Sequence, residues 1–205
     1  IERGWTLSLA SLRDLGKLGD AGFSFLSDRF KAFLLDRGAT PNEVLAVFRP
    51  RISSAELPEL SLDDVAARVD ALRAVRGRDD FEQLVDLTKR VDNILEKNAE
   101  ILESVSQKAA THVEQEPAAI ALRDFLDESS SRMQDAALDR RYAEIVGMIS
   151  QFVAPVSLFF ERALVVDPNN DAATGSRLNL VQELRDRLTS HFDIRELAGQ
   201  AHRRA

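Results

Sequence analysis

The stretch FEQLVDLTKRVDNIL, Phe81 to Leu95, decides the fold class of this 205-residue chain. Its apolar side chains recur at spacings of three and four residues, which is the period of an α-helix with one buried face. The buried stripe of this predicted helix consists of Phe81, Leu84, Thr88, Val91, Leu95 and Leu102. Asp79 or Asp80 stands where the N-terminal cap is expected. We therefore predict a long amphipathic helix across the middle of the chain.

The same spacing extends over almost the whole chain. Strict alternation of apolar and polar residues, the pattern of a half-buried strand, is hard to find, and the sequence predicts an all-α fold. The other predicted helices are Ser24–Arg37, Pro41–Arg49, Ser61–Gly77, Pro117 to the serines at 129–131, Tyr142–Val153, Leu158–Val166 and Ala172–Phe192. Gly38 is expected to end the first of these, and Pro155 the helix that begins at Tyr142. Residues 52–60 and 167–170 are predicted to be a loop and a turn.

The strongest local signal is Thr40-Pro41-Asn42-Glu43. A threonine hydroxyl at the cap position accepts a hydrogen bond from an exposed backbone amide, and a glutamate three residues later accepts one from the amide of the cap residue. Proline suits the first helical position because its missing N–H is not needed there. This capping box predicts a helix that begins at Pro41 and ends before Pro50.

Composition excludes several classes of protein. The chain has no cysteine, which rules out disulfides, thiolate catalysis and cysteine-based metal sites and suits a reducing cytosol. The longest apolar run, Val153 to Val166, is interrupted by Pro155 and Glu161, and a membrane-spanning helix needs about 20 apolar residues. We therefore expect no membrane span. Because the chain begins with Ile1 and carries no signal-peptide pattern, we expect it to be a fragment of a longer cytoplasmic protein.

Charge is distributed unevenly along the chain. The formal net charge is −7, which argues against nucleic-acid binding by bulk electrostatics. Residues 59–139 hold 10 basic and 19 acidic groups, whereas residues 177–205 hold 6 basic and 4 acidic groups. The middle of the chain is therefore a poor phosphate binder. The C-terminal part is expected to present a modest basic face.

Patterns that would support catalysis or metal binding are weak. The three histidines, at 112, 191 and 202, share no short metal-ligand spacing, and we assign them surface or packing roles. Asp63-Asp64 and Asp79-Asp80 are better explained as helix starts than as paired catalytic acids. The glycine-rich segment Gly16 to Gly22 lacks the full phosphate-loop pattern and is interpreted as a connector. We expect no catalytic residue and no metal site.

Basic residues in the second half of the chain are the best candidates for contact with nucleic acid. They are Arg140, Arg141, Arg177, Arg185 and Arg187, together with Lys89 and Arg90 on the long helix. Lys89 has a simpler interpretation as part of a solvated face paired with Asp86. Tyr142, next to Arg141, either stacks on an unpaired base or lies in the core.

Six segments in this order give the chain a family resemblance. They are DRFKAFLLDRG at 28–38, PNEVLAVF at 41–48, AARVDAL at 66–72, LTKRVDNILEK at 87–97, YAEIVGMISQFVAPVSLFFERALVV at 142–166 and SRLNLVQELRDRL at 176–188. Together they resemble the C-terminal region of the bacterial glycyl-tRNA synthetase beta subunit. Asp70-Ala71-Leu72-Arg73 also spells the tetrapeptide after which the DALR-type helical anticodon-binding domain is called.

The resemblance implies an all-α helical bundle that binds the anticodon of tRNA(Gly). Residues 1–55 would end the preceding helical module of the beta subunit, and residues 60–205 would form the anticodon-binding domain. In this family the alpha subunit carries the site that glycylates tRNA with ATP and Mg. Two alpha and two beta subunits form a heterotetramer. The fragment would then be non-catalytic by itself, need no cofactor and supply tRNA binding to a glycine-tRNA ligase.

Two other classes of function compete with this interpretation. One is a helical protein-interaction module whose acidic segment 59–139 docks a basic partner. The other is a helical hydrolase that acts through carboxylates and a bound divalent metal. Dependence of a pull-down on residues 59–139 would favour the first, and binding of magnesium or manganese would favour the second.

Overall fold

The computed structural model describes residues 20–48, 62–105 and 113–199. Within these ranges the regular structure is helical, as predicted, and contains no strand. The helices are α1 (Asp20–Asp36), α2 (Pro41–Phe48), α3 (Leu62–Ala74), α4 (Asp79–Lys97), α5 (Ala99–Val105), α6 (Pro117–Leu138), α7 (Tyr142–Ser150), α8 (Val153–Arg162), α9 (Asp171–Thr189) and a final 3₁₀ helix (Ile194–Gly199). The predicted loop at 52–60, most of the glycine-rich connector at 16–22, His112 and His202 lie outside the described residues.

These helices form two compact units. The first unit contains the residues up to Arg76 and those from His191 onward, and the second unit is Gly77–Ser190. The first unit packs α2 against α1, α3 and the 3₁₀ helix. In the second unit α9 packs against α4, α5 and α6, and α8 packs against α4 and α6. The domain boundary predicted between residues 55 and 60 lies outside the described residues and stays a prediction.

The core of the second unit is built from the apolar positions that the helical spacing predicted. Leu84 and Val91 of α4 are fully buried. Leu178 and Leu184 of α9 are buried as completely. α4 ends at Lys97. The backbone amide of its C-cap residue, Asn98, donates to Leu95 O at 3.2 Å, and the next helix, α5, begins at Ala99. The long central helix is therefore confirmed, with a break before Leu102.

The cap of α4 differs from the expectation. Arg78, not an aspartate, occupies the N-cap position and makes no side-chain capping bond. Asp79 and Asp80 lie in the first turn, where negative charge complements the helix dipole. Asp80 accepts a hydrogen bond from Arg78 Nε at 3.0 Å, and this bond lowers the pKa of the Asp80 carboxyl. The aspartates therefore mark the helix start without capping it.

Helix α6 is longer than predicted. It begins as expected, with Glu116 as N-cap and Pro117 in the first turn. The prediction that the serines at 129–131 weaken its end is wrong, because the helix continues to Leu138. Ser129 is buried and donates its hydroxyl proton to Leu126 O at 3.0 Å, so its side chain bonds within the helix instead of ending it. The buried residues Met133 and Ala136 then continue the apolar stripe.

The apolar segment after Tyr142 forms two helices, and its predicted break is misplaced. α7 ends at Ser150, and α8 begins at Val153. Pro155 therefore does not close the first helix. It lies in the first turn of α8, where its missing N–H removes no helical bond. The turn between the two helices places Phe152 in the core, fully buried against Phe125 with a distance of 4.8 Å between ring centroids.

Residues Tyr142–Arg162, 21 residues in all, are also long and apolar enough to cross a membrane, and their most apolar 18-residue window has a mean hydropathy of 1.6. Length and composition are the only features that support such a span. Ile145, Phe152 and Phe159 are fully buried inside the second unit, so packing of the core accounts for the apolar character of the segment. The absence of a membrane span stays a prediction.

The capping box of α2 is confirmed and is tied to a second helix. Thr40 N donates to Glu43 Oε2 at 2.7 Å, and Glu43 N donates to Thr40 Oγ1 at 3.3 Å. Glu43 is almost completely buried, and Arg76, which follows α3, donates from Nε to Glu43 Oε1 at 2.7 Å. One carboxylate therefore caps α2 and holds the end of α3 against it.

Helix α1 ends as predicted but is only half buried. Gly38 adopts a φ of 89°, and its N–H and that of Ala39 donate to Leu35 O and Leu34 O, which is the Schellman arrangement. Leu34 is buried, whereas Phe33 is 48% exposed. The predicted apolar side of this helix therefore faces the core only in part.

We expect Glu43→Ala to lower the free energy of unfolding by about 2 kcal/mol, because it removes the buried carboxylate that accepts hydrogen bonds from Thr40 N–H and from the Arg76 guanidinium. Thr40→Ala, which removes only the cap, should cost about 1 kcal/mol. Urea unfolding followed by far-UV circular dichroism measures both. Glu82→Ala, at an exposed glutamate of α4, is the control. Equal losses for Glu43→Ala and Glu82→Ala would contradict the assignment.

Candidate nucleic-acid interface

The predicted arginine pair lies at the corner between α6 and α7. Arg140 N donates to Ala137 O at 3.1 Å, and Arg141 N donates to Ala136 O at 2.7 Å. These two bonds form a Schellman motif, in which the residue after the cap adopts a left-handed backbone. Arg140 is that residue, with a φ of 56°. The corner therefore places Arg140 and Arg141 side by side on an exposed turn.

Arg140 is an unusual residue for this position. The equivalent place at the end of α1 is filled by Gly38, and glycine adopts a positive φ without steric cost. A side chain with a Cβ costs about 1 kcal/mol or more in the left-handed region. Arg140 is the one residue other than glycine with a positive φ in the described part of the chain. The fold thus carries strain where it exposes a guanidinium group.

Arg141 is exposed and paired with carboxylates on both sides. Its guanidinium donates to Asp139 Oδ2 at 3.1 Å and to Glu144. Exposed ion pairs of this kind are weak and exchange readily for other partners. Arg141 is therefore held near the corner and still open to an incoming anion.

Tyr142 begins α7 and points into the core. It is only 3% exposed, so its ring has no free face on which a base could stack. The sequence left open whether Tyr142 stacks on an unpaired base or lies in the core, and in the structure it lies in the core. The residue anchors the start of α7 just behind the arginine pair.

Arg177 is taken up by internal contacts. Its Nε and one terminal nitrogen donate to the two carboxylate oxygens of Glu114, each at 2.9 Å, and its other terminal nitrogen donates to Leu164 O. Both side chains are only 13% exposed. This bidentate pair fastens the segment before α6 to α9. Sequence reasoning missed it because Glu114 and Arg177 are 63 residues apart.

The Glu114 carboxyl is strongly acidic. Burial raises its pKa, but hydrogen bonds from Arg177 and from the backbone amides of Glu116 and Gln115 outweigh burial and lower the pKa to about 2. The bond to Glu114 also raises the pKa of Arg177. The pair is therefore ionised over the whole physiological pH range.

The remaining basic candidates are scattered over other surfaces. Lys89 pairs with Asp86 at 3.1 Å, as its simpler interpretation predicted. The Arg90 guanidinium lies 4.6 Å from the centre of the Phe160 ring, a cation–π contact. Arg185 lies 3.5 Å from Asp186. Arg187 Nε is buried with no hydrogen-bond partner among the described residues. A role of these residues in tRNA contact stays a prediction.

A groove of about 340 Å³ lies beside the arginine corner, between α6 and α7. It is lined by Arg132 and Asp135 of α6, by Glu144, Gly147 and Met148 of α7, and by the two residues that flank α7, Arg141 and Gln151. Of these residues, only Arg141 was a candidate from the sequence. The others lie one turn apart on two neighbouring helices, and they can be recognised as one site only when the α6–α7 corner is known.

Within the described residues, no group of three or more His, Asp or Glu side chains is placed to hold a metal ion. Asp63 and Asp64 lie in the first turn of α3, and Asp64 pairs with Arg68 at 2.9 Å. The aspartates discussed as paired acids are thus explained by helix starts and ion pairs. That the chain holds no metal or other cofactor stays a prediction.

Comparison with known families identifies this region. The sequence profile of the DALR anticodon binding domain matches residues 87–196, which is more than half of the chain. The chain belongs to this family. The match runs from α4 to the 3₁₀ helix and includes the α6–α7 corner. The DALR tetrapeptide at Asp70 to Arg73 lies outside the match and carries no weight in it.

The resemblance to glycyl-tRNA synthetase beta subunits is also confirmed. The chain is 32% identical over 174 residues to the glycine–tRNA ligase beta subunit of Dechloromonas aromatica, covering 85% of this chain and 23% of the relative. It is 33% identical over 174 residues to that of Nitrosomonas eutropha, with the same coverage. It is 28% identical over 215 residues to that of Xanthomonas campestris pv. campestris, covering 97% and 29%. The DALR-family chain therefore spans about a quarter of the length of these relatives.

We expect Arg140→Gly to raise the free energy of unfolding of this DALR-family domain by about 1 kcal/mol, because glycine relieves the strain of the left-handed backbone. Thermal or urea unfolding measures the gain. The control is Asp139→Gly at the neighbouring cap, where φ is −87° and glycine relieves nothing. A less stable Arg140→Gly protein would show that the corner depends on the arginine side chain for its fold.

The Glu114–Arg177 pair predicts a pH dependence of stability. The folded pKa of Glu114, about 2, lies below the 4.5 of an unperturbed glutamate, so its contribution to stability is present above pH 4.5 and is lost as the pH falls toward 2. We expect Glu114→Gln to cost about 2 kcal/mol at neutral pH and little near pH 2. Urea midpoints of both proteins across this range test it. Glu128→Gln, which makes the same change at an exposed site on α6, is the matched control.

Proposed function

We propose that this chain is the anticodon-binding, C-terminal part of a glycine–tRNA ligase beta subunit. The match of residues 87–196 to the DALR anticodon binding domain carries the proposal. The similarity to named beta subunits, at 28–33% identity, supports the choice of glycine tRNA as the RNA. In the same proposal an alpha subunit performs the ATP- and Mg-dependent glycylation, and two alpha and two beta subunits assemble in the cytoplasm.

The α6–α7 corner is the best candidate for the contact with the anticodon loop. Arg140 is exposed and held in a strained backbone, and Arg141 beside it makes only exposed ion pairs. Arginines of this kind bind phosphates of a single-stranded loop while neighbouring groups read its bases. Arg177 is a poorer candidate, because its guanidinium is bound to Glu114 and Leu164.

The acidic docking module and the metal-dependent hydrolase gain no support. The family match covers the second half of α4 and most of the acidic segment, and the family is described by anticodon binding. With a net charge of −7, the chain repels RNA at long range, so binding must come from a small local surface. An exposed corner of two arginines fits this requirement.

We expect the double variant Arg140→Gly/Arg141→Gln to bind glycine tRNA about tenfold or more weakly than wild type and to show a smaller dependence on salt, because two phosphate contacts are lost. Filter binding at two moderate salt concentrations measures both effects. Arg123→Gln/Arg162→Gln removes the same charge from exposed positions elsewhere in the second unit and is the matched control. Equal weakening in both variants would assign binding to overall charge instead of the corner.

A further inference from the structure

The α6–α7 groove contains a glycine that the fold does not need. Gly147 lies inside helix α7, where glycine lowers helix stability relative to alanine. A Cβ built on Gly147 meets no heavy atom within 4 Å, so no neighbouring side chain requires the missing methyl group. Its φ is not positive, so the backbone does not require glycine either. The open space above Gly147 is part of the groove.

The charges of the groove cancel. Two arginines, Arg132 and Arg141, and two carboxylates, Asp135 and Glu144, line it together with the Gln151 amide and Met148. A bare phosphate or other anion would meet two carboxylates, which makes the groove a poor anion site. A neutral, flat group with both donors and acceptors on its edge matches the lining, and nucleobases are groups of this kind.

The surroundings of the groove suit a nucleotide whose base enters it. A volume of about 340 Å³ is at the lower end of the range of small-ligand pockets. Arg140, next to Arg141 in the chain, supplies a positive charge that no carboxylate of the groove lining balances. Leu138, 78% exposed at the end of α6, offers an apolar surface beside the corner.

We propose that the α6–α7 groove is a pocket for one unpaired base of the RNA loop, which lies over the bare backbone at Gly147 with its phosphate at Arg140. The inference rests on the proposed function, because it assumes that the ligand is RNA. It goes further by assigning a base subsite and by making Gly147 its determinant: any larger side chain would occupy the space that the base needs.

The test uses the 205-residue chain and a synthetic anticodon stem-loop of glycine tRNA, intact or lacking one loop base at a time. Wild type should lose about tenfold in affinity when one particular base is missing, the usual size of one hydrogen-bonded base contact. Gly147→Leu should bind the intact loop about tenfold more weakly and be insensitive to that missing base. Gly147→Ala, which adds one methyl group in open space and keeps the helix, should show a smaller loss in the same direction.

Ala143→Leu is the matched control, since it enlarges an exposed residue of α7 outside the groove and should bind like wild type. If Gly147→Leu binds the intact loop as tightly as wild type, the pocket is disproved while the proposed function stands. The same conclusion follows if Gly147→Leu binds weakly but keeps the full penalty for the missing base. If wild type does not bind the intact loop at all, the proposed function fails, and the pocket fails with it.

Discussion

Burial of aromatic side chains from the α7–α8 segment is the interaction on which the second unit depends. Phe152, in the turn between the two helices, packs edge-on against Phe125 of α6, and Phe159 is fully buried on α8. Each such side chain contributes about 2 to 3 kcal/mol when it leaves water. Because these contacts fix α7 and α8 against α6, they also fix the angle at which the chain turns from α6 into α7. The exposed corner and its groove inherit their geometry from this core.

Interactions between residues close in the sequence could be predicted, and interactions between distant residues could not. The Thr40–Glu43 box was predicted correctly because all of its partners lie within four residues. The serines of α6 and Pro155 were misread, because burial and position within a turn decided their effect. The pairing of Arg177 with Glu114 bridges distant parts of the chain, and no spacing rule finds it. The left-handed backbone at Arg140 was not predicted, because a glycine usually occupies such a position and here there is none.

If an acidic chain binds RNA, different groups must attract the phosphates and recognise the bases. The family match and the net charge of −7 together require that attraction be confined to few side chains. Such a surface gains little from non-specific contact with phosphates, since neighbouring carboxylates oppose it. In the proposed arrangement, discrimination between RNAs would come from the shape and hydrogen-bonding groups of the neutral groove. Such an arrangement would favour release of wrong RNA over tight binding of any RNA.

The backbone of Arg140 has a consequence for how this sequence is maintained. Every arginine codon is a single nucleotide change from a glycine codon, so the residue that suits the left-handed backbone is always within mutational reach. Selection for stability alone would therefore replace this arginine readily. If a lineage keeps this arginine, the guanidinium group itself must have a function there. The frequency of glycine at this codon in natural sequences would then show how important that function is.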